Sequence, residues 1–129
     1  MLNDPLANVL SHINNHEKLG RKEVIVQNNS KIIRKVLSLL NTHNYVGGYT
    51  EVEDGKGNLL QINLLGTVNK VGVIKPRFNV KKDNYEKFEK RYLPAKDFGI
   101  IIVSTSKGMM THQEAKSLGL GGRLIAYCY

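Results

Sequence analysis

The segment GIIIVSTSKGMMTHQEAKSLGLGGR spans residues 99–123 and carries the strongest structural signals in the chain. It opens with the apolar run 99–103, which is typical of a strand that is buried on both faces. The run changes abruptly into a polar loop at 104–108. Thr111 and Glu114 then have the spacing of a capping box, in which a hydroxyl and a carboxylate each satisfy a donor at the start of a helix. The segment therefore predicts a buried strand, a tight polar loop and a capped helix.

The rest of the C-terminal half is also rich in predicted strands. Residues 71–78 predict a strand, and Pro76 within it favours an edge or a strand end because proline cannot donate to a ladder. The other predicted elements are a short helix with Tyr85, Phe88 and Tyr92 on one side that ends at Pro94, a glycine turn at 119–122 that closes the capped helix, and a final strand at 123–129.

The N-terminal half predicts an alternation of helices and strands. Asn3-Asp4-Pro5 is a helix start, since proline's missing N–H costs nothing at the first helical position. The apolar spacing that follows is that of one buried helix face. The predicted elements are a helix that buries Leu6, Val9, Leu10 and Ile13 and stops at Gly20, a strand at 23–27, a second helix capped by Asn28-Asn29-Ser30 and broken by Gly47-Gly48, and two strands at 49–53 and 59–65 joined by a turn at 54–57.

Residues 66–69 form a predicted boundary, because the positive charge of the chain begins just beyond them. We therefore expect two domains, an N-terminal α+β domain at 1–67 and a C-terminal domain at 68–129. The order α-β-α-β-β predicts a half-sandwich with helices on one face of a three-stranded sheet. The fold class expected for the whole chain is α+β, with a strand-rich C-terminal domain.

The charge balance indicates a polyanionic partner. The chain has 19 Lys and Arg against 11 Asp and Glu, a net charge of +8. Residues 1–67 have a net charge of +1, whereas residues 68–129 have +7. Such asymmetry favours a nucleic-acid partner for the C-terminal half. The alternative is a soluble domain that is simply basic.

Composition excludes several other classes. The chain has 129 residues, of which 41% are hydrophobic and 23% are charged. This length and composition are those of a soluble globular protein. No apolar run approaches the ~18 residues of a membrane-spanning helix, and the first residues lack a secretory-signal pattern. The single cysteine, Cys128, excludes an internal disulfide and a cysteine-based zinc cage. These features favour a reducing, cytosolic compartment.

Enzymatic and metal-binding patterns are incomplete. Ser104 and Lys107 match the S-x-x-K of serine acyl-enzymes, but the S-D-N and K-T-G elements are missing from the chain. The order Ser-Lys-Gly is not that of a Walker loop. His12 and His16 stand four apart with no evident third ligand, and His112 is expected to face solvent. We expect no catalysis, no metal and no cofactor; a hydrolase is a distant third alternative.

The segment 99–123 resembles the universal small-subunit ribosomal protein eight family. Asn3-Asp4-Pro5-Leu6-Ala7 and Lys75-Pro76-Arg77-Phe78 are also similar to that family, so the resemblance covers essentially the full length. Arg123 replaces the glutamate usual in bacterial members, and the segment FEKRYLPAKDFG at 88–99 departs from the bacterial pattern as well. Both features resemble the archaeal branch of the family.

The resemblance implies a protein of the small ribosomal subunit, without enzymatic activity, that binds a helical region of the central domain of the rRNA and supports assembly. Neighbouring ribosomal proteins are implied partners, and a monomer in the cytoplasm is expected before assembly. The alternative is a general nucleic-acid-binding module outside the ribosome. That module would bind any duplex with similar affinity.

The candidate RNA-binding residues centre on the polar loop. Its hydroxyls can meet a base edge or a 2′-OH, Lys107 can neutralise a phosphate, and Gly108 permits close backbone approach. Tyr85 can stack on a base, or pack in the core with Phe88 and Tyr92. Gly121 and Gly122 can permit close approach of the backbone to RNA, or can simply form the turn before the last strand. The full predicted set is Ser104, Thr105, Ser106, Lys107, Gly108, Tyr85, Lys75, Arg77, Gly121, Gly122, Arg123, Lys31 and Arg34; plain solvated charge is the alternative for the basic side chains.

Overall fold

The structure is a computed structural model that describes residues 5–27, 30–53, 59–74, 78–81, 83–94 and 98–129. These residues form helices and antiparallel sheets, so the predicted α+β class is confirmed. The chain divides into two compact units, Met1–Val71 and Gly72–Tyr129. The predicted boundary between residues 67 and 68 lies just before this division.

The first unit contains two helices that each bury one apolar face. Helix α1, Pro5–Lys18, begins at the proline that the sequence places at its first position. Helix α2, Lys31–Thr42, follows Ser30, whose hydroxyl accepts a 3.4 Å hydrogen bond from the Ile33 N–H. The buried faces comprise Leu6, Val9, Leu10 and Ile13 of α1, all predicted, and Ile33, Val36, Leu37 and Leu40 of α2.

The sheet of the first unit has three antiparallel strands in the order β1-β3-β2. The strands are β1 (Glu23–Val26), β2 (Val46–Val52) and β3 (Leu59–Leu64). Along β3, Leu60, Ile62 and Leu64 are buried while Asn63 is exposed, which confirms the predicted alternation. The predicted turn at 54–57 lies outside the described residues.

The end of α2 differs from the prediction. The helix stops at Thr42, and Gly47-Gly48 lies inside β2 rather than after the helix. Its C-cap is His43, and the next residue, Asn44, adopts the left-handed conformation with φ 64°. The ladder between β2 and β3 shifts register between Val46 and Tyr49, so the glycine pair occupies an irregularity of the strand.

The second unit is built on a five-stranded sheet. Its order is β4-β8-β6-β7, and β5 also pairs with β8. The predicted strand at 71–78 is present only at its start: β4 covers 71–73, Ile74 and Phe78 lie outside the strands, and the short strand β5 follows at 79–80. Residues 75–77 of the predicted strand lie outside the described residues. The five strands are β4 (Val71–Val73), β5 (Asn79–Val80), β6 (Ile100–Thr105), β7 (Gly108–Thr111) and β8 (Gly122–Cys128).

Two helices belong to this unit. Helix α3, Tyr85–Tyr92, places Tyr85 and Phe88 in a core with side chains of β6 and β8. Helix α4, His112–Leu118, is capped by Thr111, whose hydroxyl accepts from the Glu114 N–H at 3.3 Å; this bond confirms the threonine half of the predicted capping box. At its other end Gly119 is left-handed. The core therefore sits between one face of the sheet and these helices.

Candidate nucleic-acid interface

Residues 104–108 form the tip of a hairpin between β6 and β7. Thr105 pairs with Gly108 and Ser104 pairs with Met109, which leaves Ser106 and Lys107 as the turn. The predicted polar loop leads directly to the helix, whereas in the structure β7 lies between them. The segment Gly108–Thr111 has no β-branched run to announce a strand. Its strand conformation comes from pairing with β6.

Gly108 supplies the left-handed residue that closes this hairpin. Its φ is 114°, and a Cβ added there would meet nothing within 4 Å. Asn44 is the one non-glycine residue with positive φ in the described chain, so Ser106 and Lys107 keep negative φ. The backbone requirement therefore falls on Gly108. This role is conformational, and it explains the glycine without any close approach of RNA.

The polar end of the sheet lies beside the hairpin tip. Arg123 on β8 pairs with both Asn79 on β5 and Ser104 on β6, and Ser104 pairs with Met109 on β7. Directly paired residues share a face of a sheet, so these four side chains form one row across four strands. Arg123 Nε donates to Asn79 Oδ1 at 3.4 Å. We call Asn79, Arg123, Ser104 and Met109 the polar row; Asn79, Arg123 and Ser104 are exposed.

The strand behind the tip is held on both faces. Residues 100–103 of β6 are all buried, as the apolar run predicts. Ile101 and Val103 belong to the core with α3 and α4, and the alternation of the strand puts Thr105 on their side. Ser104 lies on the opposite side. The hairpin is therefore anchored up to the residue at which it becomes polar.

Gly122, the first residue of β8, has a packing role. A Cβ added at Gly122 would lie 2.8 Å from Val103 Cγ1 and would collide with the carbonyl oxygen of Ser104. Only glycine lets β8 run this close to β6. Gly121 precedes the strand and is half-buried. For Gly122 the structure thus favours the structural alternative over direct contact with RNA.

Tyr85 lies in the core of the second unit. Its side chain is 1% exposed, and its hydroxyl donates to the Leu120 carbonyl oxygen at 2.9 Å. Burial raises the pKa of this hydroxyl. A ring enclosed in this way has no face open to a base. The structure therefore favours core packing, the alternative weighed for this residue, and we leave Tyr85 out of the proposed RNA surface.

The predicted basic residues are distributed over both units. Lys75 and Arg77 lie outside the described residues. Lys31 is exposed at the first position of α2. Arg34, one turn later, is half-buried, with Nε 3.8 Å from Oε1 of Glu51. Part of the Arg34 charge is thus matched inside the first unit, whereas Lys31 keeps an exposed cation.

His112 is buried rather than facing solvent as predicted. Its residue exposure is 1%, and its Nδ1 accepts a hydrogen bond from the Ile101 N–H at 3.0 Å. Because an N–H can only donate, the neutral ring carries its proton on Nε2, which lies 3.3 Å from Oε1 of Glu89. Lys116 also bonds this carboxylate. We call Glu89, His112 and Lys116 the Glu89 cluster; Glu89 and His112 are buried, whereas Lys116 is exposed. The sequence contains a signal for the burial of Glu89, because this residue stands four positions after Tyr85 on the apolar side of α3.

Arg91 is a second residue that the sequence analysis did not single out. Its guanidinium carbon lies 5.2 Å from the ring centroid of Phe78 and 5.5 Å from that of Tyr92. The residue is exposed. Tyr92 is its sequence neighbour, but Phe78 is brought to it only by the fold. The aromatic faces hold this cation on the surface of the second unit.

The patterns considered for catalysis and metal binding form no such site among the described residues. Ser104 lies in a strand and Lys107 in a turn, whereas serine acyl-enzymes place this motif on a helix. His16 Nδ1 lies 2.8 Å from the His12 carbonyl oxygen. No group of three or more potential metal ligands occurs within the described ranges. Of the helices described, none combines the length and apolarity that a membrane crossing requires.

The positive charge of the chain is concentrated in its second half, which is the electrostatic pattern that nucleic-acid-binding proteins share. The family model described as ribosomal protein S8 matches residues 4–129. This match covers nearly the whole chain, so the chain belongs to the ribosomal protein S8 family, and the predicted resemblance is confirmed. The family consists of structural proteins of the small ribosomal subunit, and binding of rRNA is general among its members.

Proposed function

We propose that this protein binds a helical region in the central domain of small-subunit rRNA through the β6–β7 hairpin and the polar row. The observation that carries the proposal is the state of the hairpin tip. Ser106 and Lys107 are exposed, and neither side chain has a partner among the described residues. A hydroxyl and an ammonium group are therefore presented together on a strand that is anchored in the core.

These groups match what RNA offers. A serine hydroxyl can donate to a base edge or a 2′-OH, and it can also accept. Lys107 can neutralise a phosphate beside that contact. Ser104 and Arg123 extend the same polar surface along the end of the sheet. Base-edge contacts then supply specificity, while the cations set affinity and register.

Other cations are proposed to bind neighbouring backbone. The segment 70–96 has nine Lys and Arg against three acidic residues. Arg91 lies in it and presents its guanidinium against two aromatic rings. We propose that Lys75 and Arg77 also bind phosphates, because they are positively charged. Lys31 and Arg34 are proposed to contact a second rRNA segment. Arg34 is the weaker of that pair because Glu51 lies beside it.

Within the family, we propose an archaeal-type member that is a monomer before assembly and functions in cytoplasmic ribosomes. The support is Arg123 after the paired glycines together with the segment at 88–99. Comparison of these two features across bacterial and archaeal members tests the subclass. Sedimentation equilibrium of the RNA-free protein tests the monomer, and a concentration-dependent mass would contradict it.

The first experiment is a binding titration over a range of salt concentrations. It compares the central-domain stem of small-subunit rRNA with a shuffled stem of equal length. We expect the intact stem to bind roughly 10³-fold more tightly, a scale typical of specific nucleic-acid binding. Equal binding with the same steep salt dependence would leave only electrostatics. That outcome would overturn the proposal and favour a general nucleic-acid-binding module outside the ribosome.

The variant Ser106→Ala tests the hairpin directly. Loss of a base-edge contact is expected to cost about 1–3 kcal/mol of specific binding while binding to the shuffled stem stays unchanged. Ser11→Ala is the matched control, because Ser11 is also an exposed serine and lies on α1 of the first unit. Unchanged affinity in a folded Ser106→Ala variant would remove this hydroxyl from the interface.

Lys107→Ala separates the electrostatic contribution from the base contact. Both stems should bind more weakly, and the slope of log affinity against log salt should become shallower by about one. Lys18→Ala, an exposed lysine at the end of α1, is the charge-matched control. An equal change of slope in the two variants would show that only total charge matters.

A further inference from the structure

The three hydroxyls of the hairpin have different surroundings. The Thr105 hydroxyl donates to the Gly108 carbonyl oxygen at 2.8 Å and accepts from the Lys107 N–H at 3.1 Å. Ser104 and Ser106 have no side-chain partner among the described residues. The sequence treats all three as equivalent candidates. The structure separates one that is bonded within the turn from two that are open.

The bonds of Thr105 use its only donor. A hydroxyl has one proton to donate and two lone pairs to accept with. The proton points to Gly108, and one lone pair is occupied by Lys107. Phosphate oxygens, and many base-edge and ribose groups, are acceptors. The Thr105 hydroxyl can therefore donate a hydrogen bond to these acceptors only by breaking its bond to the Gly108 carbonyl oxygen.

The same two bonds span the turn that presents the open groups. Thr105 and Gly108 are the last paired residues of the hairpin, and Ser106 and Lys107 lie between them. One hydroxyl thus ties the amide of Lys107 and the carbonyl of Gly108 to the end of β6. Loss of this link would let the turn sample other conformations, and the contact geometry at Ser106 would be less well defined.

We infer that Thr105 is a positioning residue for RNA recognition, whose hydroxyl orders the Ser106-Lys107 turn instead of contacting RNA. This inference rests on the proposed function of the hairpin. Thr105 therefore differs in role from the two serines, although the motif predicts all three as RNA contacts. Binding energy is then delivered through Ser106, and Thr105 acts by reducing the conformational freedom of the turn before RNA arrives.

The test uses Thr105→Val and Thr105→Ser. Valine keeps the volume and removes the hydroxyl, whereas serine keeps the hydroxyl. In the RNA-free protein we expect amide hydrogen exchange at Lys107 to accelerate at least about fivefold in the valine variant and to stay near wild type in the serine variant. Affinity for the central-domain stem should fall about tenfold with valine and stay within about threefold with serine.

A double variant distinguishes positioning from direct contact. If Thr105 acts through Ser106, then Thr105→Val combined with Ser106→Ala should lose clearly less affinity than the product of the two single losses. Multiplicative losses, with unchanged Lys107 exchange in the free valine variant, would show a direct contact and overturn the inference. Normal stem binding by Thr105→Val, with Ser106→Ala impaired, would also overturn it and leave the proposed function standing.

The proposed function fails by a different measurement. Wild-type protein that does not distinguish the intact stem from the shuffled stem would overturn both proposals. The exchange experiment needs no RNA, so it would still report whether the hydroxyl orders the turn. Failure of the inference alone is therefore distinguishable from failure of the function on which it rests.

Discussion

The central strands of the two sheets are buried in different ways. In the first unit, β3 alternates between buried Leu60 and Ile62 and the more exposed positions between and after them. In the second unit, β6 buries four consecutive residues, 100–103, and becomes exposed only at Ser104. Strand β3 therefore has one face that is more exposed to solvent, whereas β6 is exposed only at its C-terminal end.

This difference explains where a partner can reach each sheet. The polar face of the first sheet includes the exposed residues Glu23 of β1 and Asn63 of β3, which pair with each other. The second sheet offers its polar row and the hairpin tip at one end. A strand that is buried on both faces holds the groups at its end in a defined position. The second half also has the excess positive charge, net +7 over residues 68–129.

The largest effect expected is on stability, from truncating a buried strand residue. Ile101 is 0% exposed in β6, whereas Ile25 is 57% exposed in β1. Ile101→Ala should lower the free energy of unfolding by about 2–5 kcal/mol because it leaves a cavity. Ile25→Ala should change it by at most about 0.5 kcal/mol. Urea denaturation measures both, and equal losses would show that the exposed position is also part of a core.

The next comparison sets the Glu89 cluster against the ion pair of the first unit. His112→Phe replaces the imidazole with a larger apolar ring and leaves the Ile101 N–H without its acceptor, so we expect a loss of about 1–3 kcal/mol of stability. Arg34→Gln weakens a partly exposed pair with Glu51 and should cost about 0–1 kcal/mol. Thermal and urea unfolding measure both variants. A larger loss in Arg34→Gln would reverse the assignment of structural weight.

The smallest effect expected is a difference in alkaline stability at Tyr85. Burial raises the pKa of its hydroxyl above the ordinary value of 10.0, so folding favours the protonated form. That contribution is fully present below the unfolded-state pKa, and it is lost as pH rises through the folded-state pKa.

Tyr85→Phe tests this titration, with Tyr49→Phe as the control in the first unit. The variant should lose about 0.5–1.5 kcal/mol near neutral pH because the Leu120 carbonyl loses its donor. Above pH 10 its stability should decline less steeply than that of the wild type. Unfolding measured from pH 7 to 11 checks this, and parallel curves for the variant and the wild type would show that Tyr85 does not titrate with unfolding.

Much of the fold could be predicted because its signals are local. The apolar spacing of α1, the alternation of β3 and the capping pair Thr111–Glu114 each lie within a few residues. The predicted end of α2 was wrong because Gly47-Gly48 suggested a helix stop, whereas the helix stops at Thr42 and the left-handed Asn44 follows its C-cap. Strand β7 was missed because its conformation depends on pairing with β6 rather than on its own residues.

For the candidate site, the sequence could identify the chemical groups but not their surroundings. Ser104 to Gly108 stands out as a polar interruption after an apolar run. Nothing in the run distinguishes a hydroxyl that is bonded inside the turn from one that is open. The burial of His112 was likewise missed, since its partners Glu89 and Ile101 lie on other elements. Such partners are fixed by packing and not by spacing.

The amino-acid sequence by itself determined the two-part α+β organisation, the basic second half and the family, because periodicity, composition and motif are properties of order along the chain. Tertiary structure decided which groups are exposed together. Strand pairing aligns Arg123, Ser104 and Met109 across three strands. Packing buries Tyr85 and His112, and the Thr105 hydroxyl forms its hydrogen bonds within its own turn. Hydrogen-bond partners and strand register join residues that are distant in sequence, so they exist only once the chain has folded.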